Sequence, residues 1–219
     1  MGSTNNSDKH REVAKLDRVP LPVEAARIGV TGWQLTRTGL RVLPTLAGRG
    51  SLQDKVVRQI PKTFADLGPT YVKFGQIIAS SPGAFGEQLS REFRSLLDAV
   101  PPADTAEVHK LLAEELGADP AELFASFDEQ PFASASIAQV HFATLHTGEE
   151  VVVKIQRPGI RRRVAADLQI LKRFAQMVEL AKLGRRLSAQ DVVADFADNL
   201  AEELDFRIEA QSMEAWVSG

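Results

Sequence analysis

The sequence has no cysteine. Disulfides, thiolate zinc sites and a catalytic thiol are therefore excluded, while the compartment is left open. No uninterrupted apolar run approaches the roughly 18–20 residues that cross a bilayer, so no transmembrane helix is expected. Met1 to Arg11 is polar and lacks the apolar centre of a secretory signal. Gly2 follows Met1, but Asn6 stands where a myristoylation signal has Ser or Thr. There is no surplus of positive charge either. Lys and Arg number 26 against 29 Asp and Glu, for a net charge of −3 and a pI near 5.9. A surface that coats nucleic acid is thereby excluded, although a local basic patch is not. Internal repeats and low-complexity tracts are missing as well. What is present is ordinary globular material: 219 residues, 44% hydrophobic and 25% charged. That suits one domain with an extension, or two small domains.

Three regions emerge along the chain. Residues 1–10, MGSTNNSDKH, cannot bury enough surface to offset ordering and are expected to be a disordered tail. Residues 11–130 are expected to be helical. One or two short helices fit before about residue 50. Val56, Val57, Ile60, Phe64 and Leu67 then recur at helical spacing. Gly68-Pro69 breaks that helix, and a second one carries Val72, Phe74, Ile77 and Ile78 until Ser81-Pro82-Gly83. A helix over 87–98 with Leu89, Phe93, Leu96 and Leu97 on one side stops at Pro101-Pro102. Asp104 or Thr105 caps the next, which Gly117 closes, and Asp119-Pro120 opens a short helical turn ending near Phe127. Residues 131–219 differ in character. A strand over Ser136–Leu145, a Thr147-Gly148-Glu149 turn and the β-branched run Val151–Ile155 read as an antiparallel hairpin. A long basic helix from Ile160 to Leu183 follows, then one acidic helix with Ser188 as its N-cap.

Four places in this layout carry chemistry. Lys154 sits inside the apolar run Val151–Ile155, where an ammonium is costly unless it is paired or meets an anion. A lone strand lysine more often simply points to solvent. The loop PFASASIAQVH before it has no glycine, yet its small residues permit close backbone approach. It serves equally as a packed turn or as a nucleotide cap. Lys73 and Gln76 are three apart and share a helix face, with Gly75 between them. On pattern alone they are a surface pair. Glu202, Asp205 and Glu209 fall nearly on one line of the last helix, with Glu203 beside them. Such a carboxylate cluster is either a solvated face or one answered by cations, for which Lys73 and Lys154 are available. A small-residue loop, a strand, a turn and a strand lysine are also the order of a kinase phosphate-binding loop.

These four elements in this order resemble the UbiB/ADCK (AarF-type) atypical kinase-like family from about Phe64 to Met213. The family's KxGQ motif reads Lys73-Phe74-Gly75-Gln76, and its double proline matches Pro101-Pro102. Its alanine-rich loop is similar to ASASIAQVH, its strand lysine to Lys154, and its ExD motif to Glu203-Leu204-Asp205. The resemblance implies an α+β fold, with a kinase-like N-lobe behind a helical N-terminal extension whose KxGQ helix covers the protein-substrate site. It implies that Lys154, Glu209, Lys73, Gln76, Glu203 and Asp205 are the catalytic set, with Glu209 pairing Lys154. It implies that Ala133, Ser134, Ala135, Ser136 and Ile137, together with Lys154, hold ATP or ADP with Mg²⁺. No resident metal site is expected in the chain itself. The implied activity is that of an atypical kinase or ATPase linked to isoprenoid quinone biosynthesis and lipid homeostasis. Its implied partners are a nucleotide, membrane lipid and quinone-pathway proteins, and its location is cytoplasmic or membrane-peripheral. Departures from the family pattern are the Ser at position 134, where many members have Ala, and the lack in this chain of an Asp-Asn catalytic loop and a DFG Asp, features of the C-lobe. None of the four histidines precedes Arg-Asp. The competing expectation is a non-catalytic module that binds a partner protein or a lipid headgroup through the basic stretch 157–186.

Overall fold

The computed structural model describes residues 21–42, 52–94, 101–180 and 188–217. The first described element is α1 (Leu21–Val42), followed by α2 (Leu52–Leu67) and α3 (Pro69–Ser80). Gly68 separates α2 from α3 at φ 108°, a conformation that suits glycine, and Pro69 takes the first helical position, where no amide bond is lost. Two short helices follow, α4 (Pro82–Phe85) and α5 (Glu87–Phe93). Next is α6 (Thr105–Leu116), where the Asp104 carboxylate accepts from the Ala106 and Glu107 amides and Gly117 closes the helix in the left-handed region. Asp119 caps the single turn α7 (Pro120–Leu123). The expected tail 1–10, the helix end carrying Leu96 and Leu97, and the helix end near Leu183 lie outside the described residues.

The sheet has four antiparallel strands: β1 (Phe124–Phe127), β2 (Ala133–Ser134), β3 (Ala138–Leu145) and β4 (Glu150–Gln156). β3 is central, with β4 along one edge and β1 and β2 in succession on the other. The sequence reading is corrected here. Phe124–Phe127 is a strand and not the end of a helical turn, because it pairs with Ala143–Leu145 of β3. The β3–β4 hairpin turns at Gly148, φ 90°, as expected.

Residues directly opposite in an antiparallel pair share a face. Gln139, His141 and Ala143 therefore lie with Ile155, Val153 and Val151 on one face of the sheet. That face packs on α6 through Val108, Leu112 and Ile155, with Phe127 and Val153 beside them. The other face presents Val140 with Lys154 and Phe142 with Val152.

After the sheet come α8 (Ile160–Leu180), α9 (Ala189–Glu203) and α10 (Phe206–Val217). Ser188 caps α9 by accepting from the Asp191 amide, as the sequence suggested. A second correction applies here, because the acidic helix is not continuous. It breaks at Leu204-Asp205, where the Leu204 carbonyl accepts from the Gln156 side-chain amide at 2.5 Å and from the Arg161 guanidinium. Leu67, Tyr71, Ile160, Val164, Leu168, Phe196, Leu200 and Leu204 form the main core, which binds α3, α8 and α9 together. A smaller core of Ile78, Ala79 and Phe93 joins α3 to α5. The expected short helices of the early chain are, among the described residues, the single 22-residue α1, which packs on α2 and α8.

Candidate functional site

The open face of the sheet leads into a cleft of about 710 Å³. Lys73, Gln76, Lys154, Glu203, Asp205 and Glu209 all line it, as do Ser134, Ala135, Ser136 and Ile137. Ala133, in β2, is outside the lining. The cleft thus gathers residues from α3, the β2–β3 loop, β4, the α9–α10 break and α10. Its volume falls within the range of small-ligand pockets.

Two ion pairs organise its walls. Lys154 Nζ lies 2.5 Å from Glu209 Oε2, with the two side chains 41% and 42% exposed, so water reaches both. The same ammonium sits over the Phe206 ring, 4.8 Å from its centroid, a cation–π contact at the first residue of α10. Lys73 Nζ lies 2.6 Å from Glu203 Oε1. The α3 helix turns Tyr71, Val72 and Ile78 into the protein, and Lys73 is carried inward with them until it meets that carboxylate.

Asp205 takes a third role. The helix break takes it off the expected line of Glu202 and Glu209. It stands just before α10, where its carboxylate accepts from the Arg207 backbone amide at 3.1 Å and from the Arg207 guanidinium at 2.7 and 2.5 Å. Those hydrogen bonds, with the nearby charges of Arg207 and Arg161, hold its pKa below the usual carboxylate value against a smaller opposing effect of burial. Among the described residues no group of three or more His, Asp or Glu side chains gathers as a metal site, and Glu203 and Asp205 already face cations.

The small-residue loop is braced by a residue that the sequence reading placed only in a basic stretch. Arg157 Nε donates to the Ala135 carbonyl at 2.9 Å, its Nη2 donates to Ser134 Oγ at 2.8 Å, and its amide donates to the Ile137 carbonyl at 2.9 Å. Burial, with Arg163 adding, lowers the Arg157 pKa from its ordinary value. Within the loop the Ala135 amide donates to the Ala138 carbonyl. The signal available in the sequence was position, because Arg157 directly follows the strand that pairs with the loop's own β3. Arg161 on Leu204 and Arg163 on Leu67 are likewise turned onto backbone carbonyls. Arg157, Arg161 and Arg163 of the basic stretch thus serve the fold, while Lys182, Arg185 and Arg186 lie outside the described residues.

A buried neutral chain supports the sheet's other face. The Asp128 carbonyl can only accept, so His141 Nδ1 carries the proton and donates to it at 2.7 Å. His141 Nε2 then accepts from the Gln139 amide at 2.7 Å, and Gln139 Oε1 accepts from the Ala103 amide at 2.9 Å. This chain ties the segment after Pro101-Pro102 to β3.

The family described as ABC1 atypical kinase-like domain matches residues 95–218, more than half of the chain. The chain belongs to that family. It is 80% identical over 218 residues to protein Rv0647c of Mycobacterium tuberculosis strain H37Rv, an alignment that covers 100% of this chain and 44% of the relative. It is 44% identical over 166 residues to the probable protein kinase UbiB of Azotobacter vinelandii, covering 75% of this chain and 31% of that protein. A solved structure of Rv3197 with erythromycin, from Mycobacterium tuberculosis, is similar at 28% identity and a TM-score of 0.45, over 87% of this chain and 44% of that one. This ABC1-family chain thus spans less than half the length of the curated relatives it matches. Its described part combines a small antiparallel sheet with helices, in keeping with a kinase-like N-lobe. Among the described residues no helix is long and apolar enough to cross a membrane.

Proposed function

We propose that the chain supplies the nucleotide-cradling side of a UbiB-type atypical kinase or ATPase, taking ATP or ADP with Mg²⁺. The observation that carries this reading is the Lys154–Glu209 pair, set on the open sheet face and lining a cleft that the small-residue loop lines as well. A lysine fixed by a carboxylate holds its charge in one place, which is what a polyphosphate needs, because phosphoryl transfer depends on positioning and electrostatics. The residues beside Lys154 fit the rest of a nucleotide. Val140 is opposite it, and Phe142 and Val152, 47% and 62% exposed, continue the same face as an apolar surface for a base. The loop, closed by Arg157, borders the phosphate end. In this reading Lys154 binds and orients phosphate, and Glu209 orients Lys154. Lys73 and Gln76 close the cleft from α3, with Glu203 anchoring Lys73. Mg²⁺ when bound offsets phosphate charge, and it comes with the nucleotide. By the resemblance, the setting is isoprenoid quinone biosynthesis and lipid homeostasis at membranes. The division into tail, extension and lobe at residues 10 and 130 belongs to the same proposal.

The test is a thermal melt of the full chain with and without Mg·ADP and Mg·ATP. Both should raise the midpoint, because a ligand that binds only the folded state stabilises it. Lys154→Ala should abolish the shift. ATP turnover by the chain should stay at background, since the catalytic-loop Asp and Asn and the DFG Asp do not occur in it. A shift indifferent to Lys154→Ala, or no shift at all, overturns the reading.

A further inference from the structure

Two side chains of β4 grip the α9–α10 elbow, and only one of them belongs to the site described above. Lys154 and Gln156 are two apart on one strand and so point to the same face. Lys154 reaches Glu209, in the first turn of α10. Gln156 reaches the pivot itself, donating to the Leu204 carbonyl at 2.5 Å. That carbonyl ends α9, where helix geometry leaves oxygens without intrahelical donors. Leu204 is 1% exposed, so its carbonyl depends on protein donors rather than on water. Arg161, which also contacts Gln156 Oε1 at 3.3 Å, adds a second donor and a positive charge at a helix C-terminus.

We infer that Gln156 is a positioning residue for the Lys154–Glu209 pair, setting the direction in which α10 leaves the elbow, with Arg161 as its support. The relevance of this to nucleotide binding rests on the functional reading above; the pairing itself does not. Lys73–Glu203 lies on the α9 side of the elbow, because Glu203 is the last residue of α9. Gln156 therefore governs one ion pair of the cleft and leaves the other untouched. A residue that merely stabilised the fold would loosen both.

The test measures lysine acylation rates by mass spectrometry on the full chain, without nucleotide. Glu209→Gln should raise the Lys154 rate about two- to five-fold, the range for an ion pair with partly exposed partners. Gln156→Met and Gln156→Leu, which lose the donor without adding charge, should raise it equally and leave the Lys73 rate unchanged. Added to Glu209→Gln, neither should raise it further. Arg161→Lys, which keeps a donor, should preserve the wild-type rate. The inference is overturned if Lys154 keeps its wild-type rate in both Gln156 variants, if Lys73 rises with it, or if the effects of Gln156 and Glu209 simply multiply. A failed nucleotide melt with this pattern intact would sink the functional reading and leave the role of Gln156 standing.

Discussion

Lys73 and Asp205 both line the cleft, yet they answer to different partners. Lys73 is 27% exposed and pairs with Glu203, while Asp205, almost wholly buried, is held by Arg207. A double-mutant cycle of Lys73→Ala with Glu203→Ala, read by denaturant melts, should return a coupling of about 0.5–1 kcal/mol, and the cycle with Asp205→Ala should return about zero. A coupling with Asp205 as large as that with Glu203 would mean that the ExD carboxylates share one lysine. The motif residues were legible through the resemblance of their order to the family, each being unremarkable on its own pattern. That only one of Glu203 and Asp205 serves Lys73, with Glu203 the partner expected, was also legible, because residues two apart on a helix point about 200° away from each other. That Asp205 is held by Arg207 at a helix break was not, because EELDFRIEA reads as unbroken helix. What breaks it is a pair of donors 48 and 43 positions earlier in the chain, on Gln156 and Arg161, which no local pattern reveals.

Among the elements, the α2–α3 corner depends most on a single residue. At Gly68, φ is +108°, and an added Cβ would stand 2.5 Å from the Arg163 guanidinium. The flexible end of Arg163 can give way, but the backbone conformation cannot. Gly68→Ala should therefore destabilise by about 1 kcal/mol or more. Gly83→Ala, inside α4 with open space around it, should be neutral or stabilising by up to about 1 kcal/mol. Thermal melts of the two variants decide the matter, and equal midpoints would refute it. Gly68-Pro69 was legible as a break because both residues act locally. β1 was not legible, because Phe124-Ala-Ser-Phe127 has no strand signal of its own. It is a strand because β3 offers it an edge.

At the scale of the whole molecule, α1 is fastened across 140 positions of sequence by Arg27, whose guanidinium donates to Asp167 Oδ1 at 2.8 and 2.5 Å and to the Leu67 carbonyl at 3.2 Å. Asp167 is fully buried. Burial raises its pKa, while Arg27 opposes the rise. Burial, with the charge of Asp167 adding, pushes the neighbouring Tyr71 up to about 12. Arg27→Met leaves a buried carboxylate short of its main partner and should cost about 3–5 kcal/mol at neutral pH. The sign of the pH effect follows from the raised pKa. A carboxyl whose folded pKa lies above its unfolded value of about 3.9 destabilises the protein when ionised, and that penalty is recovered as pH falls through the folded pKa. Removing Arg27 raises the folded pKa further. The stability gap between Arg27→Met and wild type should therefore narrow on acidification from pH 7 towards pH 5, as followed by denaturant melts. A gap that does not change with pH would show that Asp167 does not change its protonation over that range.

The alternation along β4 carries one more consequence. Val151, Val153 and Ile155 face α6, and Glu150, Val152, Lys154 and Gln156 face the other way. With three valines in succession, the strand is nearly symmetrical between its faces, and Lys154 is the charge that would be forced among Val108 and Leu112 by a slip of one residue. The lysine is therefore a register pin as well as the cation of the Lys154–Glu209 pair. Replacing it with leucine would erase the pin along with the charge, because Val151 to residue 155 would then be five apolar side chains in a row. The two roles separate only in a polar, uncharged replacement, which keeps the strand on its own face while silencing the cation.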